Sequence, residues 1–202
     1  MIMKQMLLPA VLAAVCAVST LGVSSAQAAD GTITFNGKIS AASCVIDGTS
    51  GASGTNGAIT VAMGTVSTQA LQAANSTAGQ TPFALKLSGA NCTNGQTAAM
   101  WVETASTAAL DTTTNNLKNQ AVGGSNVQVQ LLNGNTNQQI KLGQPAVVTT
   151  GATVLSNNQP AATIAGNTAT LKYIAQYVNT GAAGSVTAGN VQTALTYSMQ
   201  YN

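Results

Sequence analysis

The sequence has no histidine and no arginine, and only 5% of its residues are charged. Histidine is the commonest general base and metal ligand, so its absence removes the usual route to both kinds of chemistry. The scattered acids give neither a carboxylate pair for glycoside hydrolysis nor enough oxygens for a calcium cage. The lysines are scattered along the chain, so they do not form the basic patch that nucleic-acid binding requires. We therefore predict no enzyme activity, no metal or cofactor, and no nucleic-acid partner.

The first 28 residues have the pattern of a signal peptide. Lys4 precedes an apolar run from Met6 to Val23, and Ala26-Gln27-Ala28 supplies the small residues that signal peptidase requires, so cleavage is expected after this triplet. An uncleaved membrane anchor is the alternative, because the run is about long enough to span a bilayer. A lipoprotein is disfavoured, since Val15 before Cys16 is bulky for that processing. We predict a signal peptide at 1–28 and export of the rest.

Cysteine is scarce as well, and only Cys44 and Cys92 remain after the signal peptide. In an oxidising compartment an isolated pair indicates one disulfide, and two unpaired buried thiols are the alternative. Closing a loop of about 49 residues would stabilise the fold by about 4 kcal/mol in the chain-entropy model.

Short segments with an apolar residue at every second position recur along the rest of the chain. They lie near residues 44–46, 59–63, 83–87, 98–102, 127–131, 171–177 and 195–201. Asn133-Gly134-Asn135 predicts a hairpin turn, with a return strand at Ile140 and Leu142. Only Thr68 to Asn75 looks helical, for one turn. These patterns predict an all-β sandwich of immunoglobulin type, with an eight-stranded barrel as the alternative.

The most regular of these patterns stands at the start of the exported chain. Apolar residues and glycines alternate with Thr, Asn and Lys over nine positions; they are Gly31, Ile33, Phe35, Gly37 and Ile39. Such alternation is typical of a half-buried β-strand. A strand of this kind at a chain end needs a partner sheet, which need not belong to its own chain.

The last fourteen residues hold a second period-two pattern. One parity contains Gly189, Val191, Leu195, Tyr197, Met199 and Tyr201, which would line one face of an extended strand. The plain interpretation of this pattern is an ordinary final strand of the sandwich.

Taken together, the two chain ends and the cysteines resemble the major pilins of type 1-like fimbriae, which the chaperone–usher pathway assembles. Ile33-x-Phe35-x-Gly37-x-Ile39, followed by Ser43-Cys44-Val45-Ile46, is similar to the N-terminal extension and first cysteine of that family. Pro82 to Leu87, leading to Cys92, resembles the strand before the second cysteine. Tyr201 as the penultimate residue and Gly189 as the fourteenth from the end match its chaperone-recognition strand.

This resemblance implies an immunoglobulin-like domain, residues 41–202, that lacks its final strand and exposes an apolar groove. A periplasmic chaperone would fill the groove by pairing with the C-terminal strand. At the outer-membrane usher, the extension 29–40 of the next copy would replace it, as in the known strand addition of pilins. The expected product is a cell-surface fimbria built from copies of this chain and other pilins. A minor adaptor or terminating subunit is the alternative, and a tip adhesin or a secreted hydrolase fits less well.

Overall fold

This computed structural model describes residues 43–144 and 157–202, together with Thr34, Gly37, Ile39 and Ala41. The chain divides into two compact units, residues 1–38 and residues 39–202. Of the first unit only Thr34 and Gly37 are described, and both are exposed. The architecture given below is that of the second unit.

The second unit is built from β-strands and two short 3-10 helices, Thr68–Leu71 and Thr104–Ser106. The longer strands are β1 (Val45–Thr49), β4 (Thr77–Ser88), β5 (Thr97–Val102), β8 (Gln128–Asn133), β10 (Thr168–Val178) and β11 (Tyr197–Tyr201). The short ones are β2 (Ala52–Ser53), β3 (Thr60–Val61), β6 (Leu110–Asp111), β7 (Asn116–Lys118) and β9 (Ala161–Thr163). Within the described ranges, no helix has the length and apolar character needed to cross a membrane.

Two sheets enclose the hydrophobic core. One has six strands in the order β1-β4-β10-β8-β7-β6, the other has the order β11-β5-β9, and β2 pairs with β3. Leu87 and Leu171 of the first sheet and Met100 and Val102 of the second belong to one buried cluster. The two sheets therefore pack face to face, and the predicted all-β sandwich is confirmed. The described strands do not form a closed barrel, because each of the two sheets has an edge strand at both ends of its order.

β10 is the central strand of the larger sheet and shows why these residues form strands. Ala169, Leu171, Tyr173 and Ala175 are buried, whereas Thr170 and Lys172 between them are exposed. Alternation of this kind places one side of a strand on the core. The strand pairs with β4 on one side and with β8 on the other.

The predicted disulfide is present. Cys44 and Cys92 are bonded, with their Cα atoms 4.5 Å apart. Cys44 immediately precedes β1 and Cys92 follows β4, and these two strands are antiparallel neighbours with Val45 opposite Ser88. The bond therefore fixes the position of β1 at the edge of the larger sheet.

The structure shortens two of the predicted strands. The return strand of the hairpin is reduced to a single bridge between Leu132 and Gln139. Beyond it the Ile140 N–H still donates to the Leu131 carbonyl, and the Lys141 N–H, on the other side of the chain, donates to the Asn157 carbonyl. The segment 59–63 contributes only the two residues of β3. The predicted helical turn is the 3-10 helix Thr68–Leu71, whose first turn is capped by the Ser67 hydroxyl.

Candidate functional site

The C-terminal strand β11 has a neighbouring strand on one side only. It pairs antiparallel with β5, from Tyr197 opposite Val102 to Tyr201 opposite Ala98. Among the strands that the structure describes, none pairs with its other side. β1 is the edge strand of the other sheet. Among the described strands, β11 and β1 are thus each paired on one side only, one in each layer of the sandwich.

Hydrogen bonds before and after β11 show which of its backbone groups face the free side. Four carbonyl groups in and around β11 accept hydrogen bonds from N–H groups on the paired side: Asn190 from Ser125, Gln192 from Gln120, Thr196 from Glu103, and Asn202 from Thr97. All four are even-numbered, and backbone groups of an extended strand alternate between its two sides. The backbone N–H and C=O groups of the odd-numbered residues therefore point to the unpaired side. This free edge is available to an added strand.

The side chains of the same odd-numbered residues face the core. Val191, Leu195, Tyr197, Met199 and Tyr201 are half-buried and pack against the hydrophobic cluster. The even-numbered neighbours face away from the core, and Gln192, Thr196 and Ser198 among them are exposed. The sequence-predicted residues of the C-terminal segment thus lie together on one face, beside the free edge.

Half-buried apolar side chains also lie on the opposite wall, around β1. They come from β1 itself, from the chain on either side of β3 and from β4, and they are Ile46, Ile59, Met63, Val66 and Phe83. We call the region between these side chains and β11 the seam. Side chains of a finished core are mostly buried completely, so these half-buried side chains indicate a layer that further packing would complete.

Two tyrosines of β11 cross the seam. The Tyr197 hydroxyl donates to the carbonyl of Gly57 over 3.0 Å. The Tyr201 hydroxyl accepts from the N–H of Cys44 over 3.4 Å. These bonds connect β11 to the chain on either side of β1, so the seam is narrowed by tyrosine rings. A tyrosine hydroxyl is neutral at physiological pH, and burial raises the pKa of Tyr197 further above its ordinary value.

A third tyrosine lies in the core beneath the seam. Tyr173 of β10 is 1% exposed and stacks on Phe83, with ring centroids 5.2 Å apart. Its hydroxyl is buried and has no hydrogen-bond partner in the described structure. Burial, with a smaller effect of the nearby Tyr197, raises its pKa far above the ordinary value. The hydroxyl is thus a neutral polar group enclosed in an apolar setting.

Gly189 begins the C-terminal segment for a steric reason. A Cβ atom added there would lie 2.6 Å from the nitrogen of Ser125 and 2.7 Å from the carbonyl carbon of Gly124. Directly after it, the Asn119 side chain donates to the carbonyl of Asn190 and accepts from the N–H of Gln192. Close backbone approach and this amide clamp direct the chain towards the free edge. Sequence reasoning missed Asn119, which nothing local distinguishes from the other asparagines.

Only part of the predicted N-terminal strand falls within the described residues. Gly31, Ile33 and Phe35 lie outside them. Gly37 is exposed, and the Ile39 side chain is 98% exposed.

The described part of the chain offers no constellation for catalysis or metal binding. No group of three or more Cys, Asp or Glu residues lies close enough there to hold an ion. The Asp111 carboxylate accepts a hydrogen bond from the Gln128 amide at 2.8 Å, and this bond is the main reason that the pKa of Asp111 is lowered.

Comparisons with known proteins agree with this geometry. The model of the family described as "FimA: Type-1 fimbrial protein, A" matches residues 63–202. The chain is 36% identical over 185 residues to the F17 fimbrial protein of Escherichia coli, covering 90% of this chain and 96% of that protein. It is 37% identical over 181 residues to the major fimbrial subunit SMF-1 of Stenotrophomonas maltophilia strain K279a, covering 88% and 96%.

A solved structure supports the fold. The P pilus rod subunit PapA superposes with a TM-score of 0.50 at 14% identity, over 79% of this chain and 99% of that one. This likeness concerns the fold alone, whereas the family match and the two relatives concern the sequence. The chain belongs to the type-1 fimbrial protein family and is a fimbrial subunit.

Proposed function

We propose that this chain is the main structural subunit of a surface fimbria and polymerises head to tail by donor-strand exchange. In this scheme residues 29–40 of one copy enter the seam of the next copy and pair with β11. The observation that carries the proposal is the one-sided pairing of β11, whose odd-numbered residues direct both their backbone groups and their apolar side chains to the place where a strand is missing.

The proposed donor strand has the right chemistry for that place. Ile33, Phe35 and Ile39 would each contribute about 1.5–3 kcal/mol on full burial. Gly31 and Gly37 would suit positions where the two backbones approach closely. Main-chain hydrogen bonds to the free edge would add register and lifetime. Ile39 is almost fully exposed before any such contact forms, so its burial is still to be gained.

Donor strand and seam are different surfaces of one subunit, so each copy can give a strand to one neighbour and receive one from another. Such a heterologous contact repeats without closing and produces a filament. Near-neutral surfaces favour this association, and the chain carries a formal net charge of only +2. The name of one similar protein, a major fimbrial subunit, favours the rod over an adaptor or adhesin.

The free edge of β11 also requires protection before assembly, because unpaired strand edges promote aggregation. We infer that a periplasmic chaperone pairs with Gly189, Val191, Leu195, Tyr197, Met199 and Tyr201, and that the outer-membrane usher exchanges it for the next subunit's strand. This pathway requires a signal peptide at 1–28, an extension at 29–40 and a pilin domain at 41–202. The mature subunit would pass through the periplasm to the fimbria.

Deletion of residues 29–38 tests the donor assignment. In cells that lack their own copy, the deleted subunit should accumulate with its disulfide formed but should not build fibres. The matched control replaces the exposed Thr34 by alanine, which leaves every apolar residue of the strand in place, and should build fibres normally. Long fibres made of the deleted subunit would overturn the proposal. Mass identification of the main band of sheared fibres separates the rod subunit from an adaptor.

A further inference from the structure

The two ends of the sandwich can be located along its central strand β10. Thr168, the first residue of β10, lies in one row with Ser88 of β4 and Val45 of β1, next to the disulfide. We call this the disulfide end. Val178, the last residue of β10, lies opposite the start of β8, so the connection 119–127 between β7 and β8 lies at the other end. We call this the far end.

The direction of the donor strand decides which ends of two consecutive copies meet. Every strand pairing that the structure describes is antiparallel, so a strand added to β11 is expected to run antiparallel to it. Ile39, at the C-terminal end of the donor strand, then lies towards Gly189, which packs on the 119–127 connection at the far end of the receiving copy. From Ile39 to Cys44 the chain spans at most about 17 Å. The disulfide end of the donating copy is thereby held near the far end of the receiving copy.

A clamped turn presents Val122 at the far end. The turn is closed by the Gly124 N–H, which donates to the Ala121 carbonyl over 3.0 Å. Asn119 fixes it, because its side chain accepts from the N–H of Ala121 and donates to the carbonyl of Ser125. The Val122 side chain at its tip is fully exposed. Docking a side chain that is already held in place costs little ordering entropy.

The disulfide end offers a small, uncharged surface to this turn. Val45 is 43% exposed, and the turn after β4 exposes Gly89 and Ala90 beside it, since a Cβ added at Gly89 would lie 3.7 Å from Cγ2 of Val45. Neither 119–127 nor 88–93 contains a charged residue. A single exposed apolar side chain is common on any protein surface. Donor-strand exchange, however, would bring these two surfaces face to face, and no ion would have to be desolvated between them.

We propose that the Val122 turn of one subunit packs against Val45 and Ala90 of the next, as a second contact beside the donor strand. This inference rests on the proposed donor-strand exchange. The donor strand by itself would leave consecutive domains joined by residues 40–43 alone, about which they could swivel. The end-to-end contact fixes the angle between consecutive domains, so it sets the stiffness of the fibre.

Photo-cross-linking in assembled fibres tests the contact. Val122→p-benzoylphenylalanine subunits are assembled from a mixture of isotope-labelled and unlabelled protein, so that mass spectrometry of the illuminated fibres identifies cross-links between copies. We expect cross-links to residues 41–45 or 88–93 of another copy. The matched control carries the same probe at the exposed Gln138, which follows β8 level with the middle of β10, and should not give them. Fibres in which the probe at position 122 reacts only elsewhere would overturn the proposal.

A reciprocal probe removes the dependence on a bulky group at position 122. Ala90→p-benzoylphenylalanine should cross-link to residues 119–125 of another copy. Adding Val122→Asp should lower this yield about tenfold, the factor for losing one buried valine side chain. Gln138→Asp adds the same charge away from both ends and should leave the yield unchanged. A parental yield in the Val122→Asp fibres would contradict the contact.

Electron microscopy separates this inference from the function on which it rests. Val122 is fully exposed in the single subunit, so Val122→Asp should fold and form fibres, but with a shorter persistence length than the parent. Fibres of Val122→Asp that are as stiff as the parent's would refute the end-to-end contact and leave donor-strand exchange intact. Fibres built by the subunit that lacks residues 29–38 would instead refute donor-strand exchange, and the end-to-end contact with it.

Discussion

Tyr173 and Tyr197 border the same seam, and removing their hydroxyls should change stability in opposite directions. Tyr173→Phe removes a hydroxyl that is buried and unpartnered while it keeps the ring stacked on Phe83 at 5.2 Å. An unsatisfied buried polar group costs about 1–3 kcal/mol, so we expect a gain of about 1 kcal/mol or more in the free energy of unfolding. Tyr197→Phe removes the 3.0 Å bond to Gly57, and a loss of about 1 kcal/mol is expected.

Urea unfolding of the monomeric pilin domain, residues 41–202, measures both effects. A shift of the midpoint at constant m-value reports a change in stability alone. The two hydroxyls are neighbours, so the double variant should be measured as well to detect coupling between them. If the free energy of unfolding of Tyr173→Phe is lower than that of the parent by about 1 kcal/mol or more, the value of one hydrogen bond, the hydroxyl has a partner and the reasoning is refuted.

The Tyr197 bond also predicts a kinetic effect. An entering strand must pass between β11 and the chain near Gly57, so the bond has to break first. Tyr197→Phe should therefore accelerate uptake of a synthetic peptide of residues 29–40, measured by stopped-flow fluorescence of Trp101, which lies on the neighbouring strand β5. Tyr173→Phe is the matched control for loss of a tyrosine hydroxyl without loss of this connection. Equal uptake rates in all three proteins would contradict the role of Tyr197.

Three further predictions concern the whole domain. Replacing both Cys44 and Cys92 by alanine should lower the free energy of unfolding by about 4 kcal/mol, because the disulfide closes a loop between cysteines 48 positions apart. An unchanged urea midpoint would contradict this. Burial raises the pKa of Tyr173, Tyr177 and Tyr197 in the folded protein above the unfolded value of about 10. Above that pH the unfolded chain loses these protons before the folded protein does, so the free energy of unfolding is constant below about pH 10 and falls as the pH rises further. Stability measured against pH should fall above that value and fall less steeply in Tyr173→Phe; equal slopes would be inconsistent with a shifted Tyr173. Gly189→Ala should lower the free energy of unfolding by about 1–3 kcal/mol, because the added Cβ would overlap the backbone of Ser125. Gly64→Ala is the control: an added Cβ there meets nothing within 4 Å, so the melting temperature should stay near that of the parent.

The sequence predicts the long strands of this fold well because apolar residues recur at every second position in them. Segments that became β4, β5, β8 and β10 are all visible as period-two patterns, and the disulfide follows from the cysteine count. Strands of two or three residues, such as β6 and β9, carry too little pattern to be seen. Their pairing is set by neighbours distant in sequence, as in the contact of β9 with β5.

The same limit applies to the seam. Parity alone puts Tyr197 and Tyr201 on one face, but it cannot show that their hydroxyls reach Gly57 and Cys44, because those contacts join residues 140 and 157 positions apart. The Asn119 clamp is invisible for the same reason.

Amide hydrogen exchange along β11 tests the central claim most directly. In the domain 41–202 without its extension, the N–H groups of Tyr197, Met199 and Tyr201 should exchange fast, while those of Ser198 and Gln200, which face β5, should be protected. Adding the 29–40 peptide should protect the odd-numbered amides and leave the even-numbered ones unchanged. Odd-numbered amides that are already protected without the peptide, or that stay fast when it is saturating, would contradict the account.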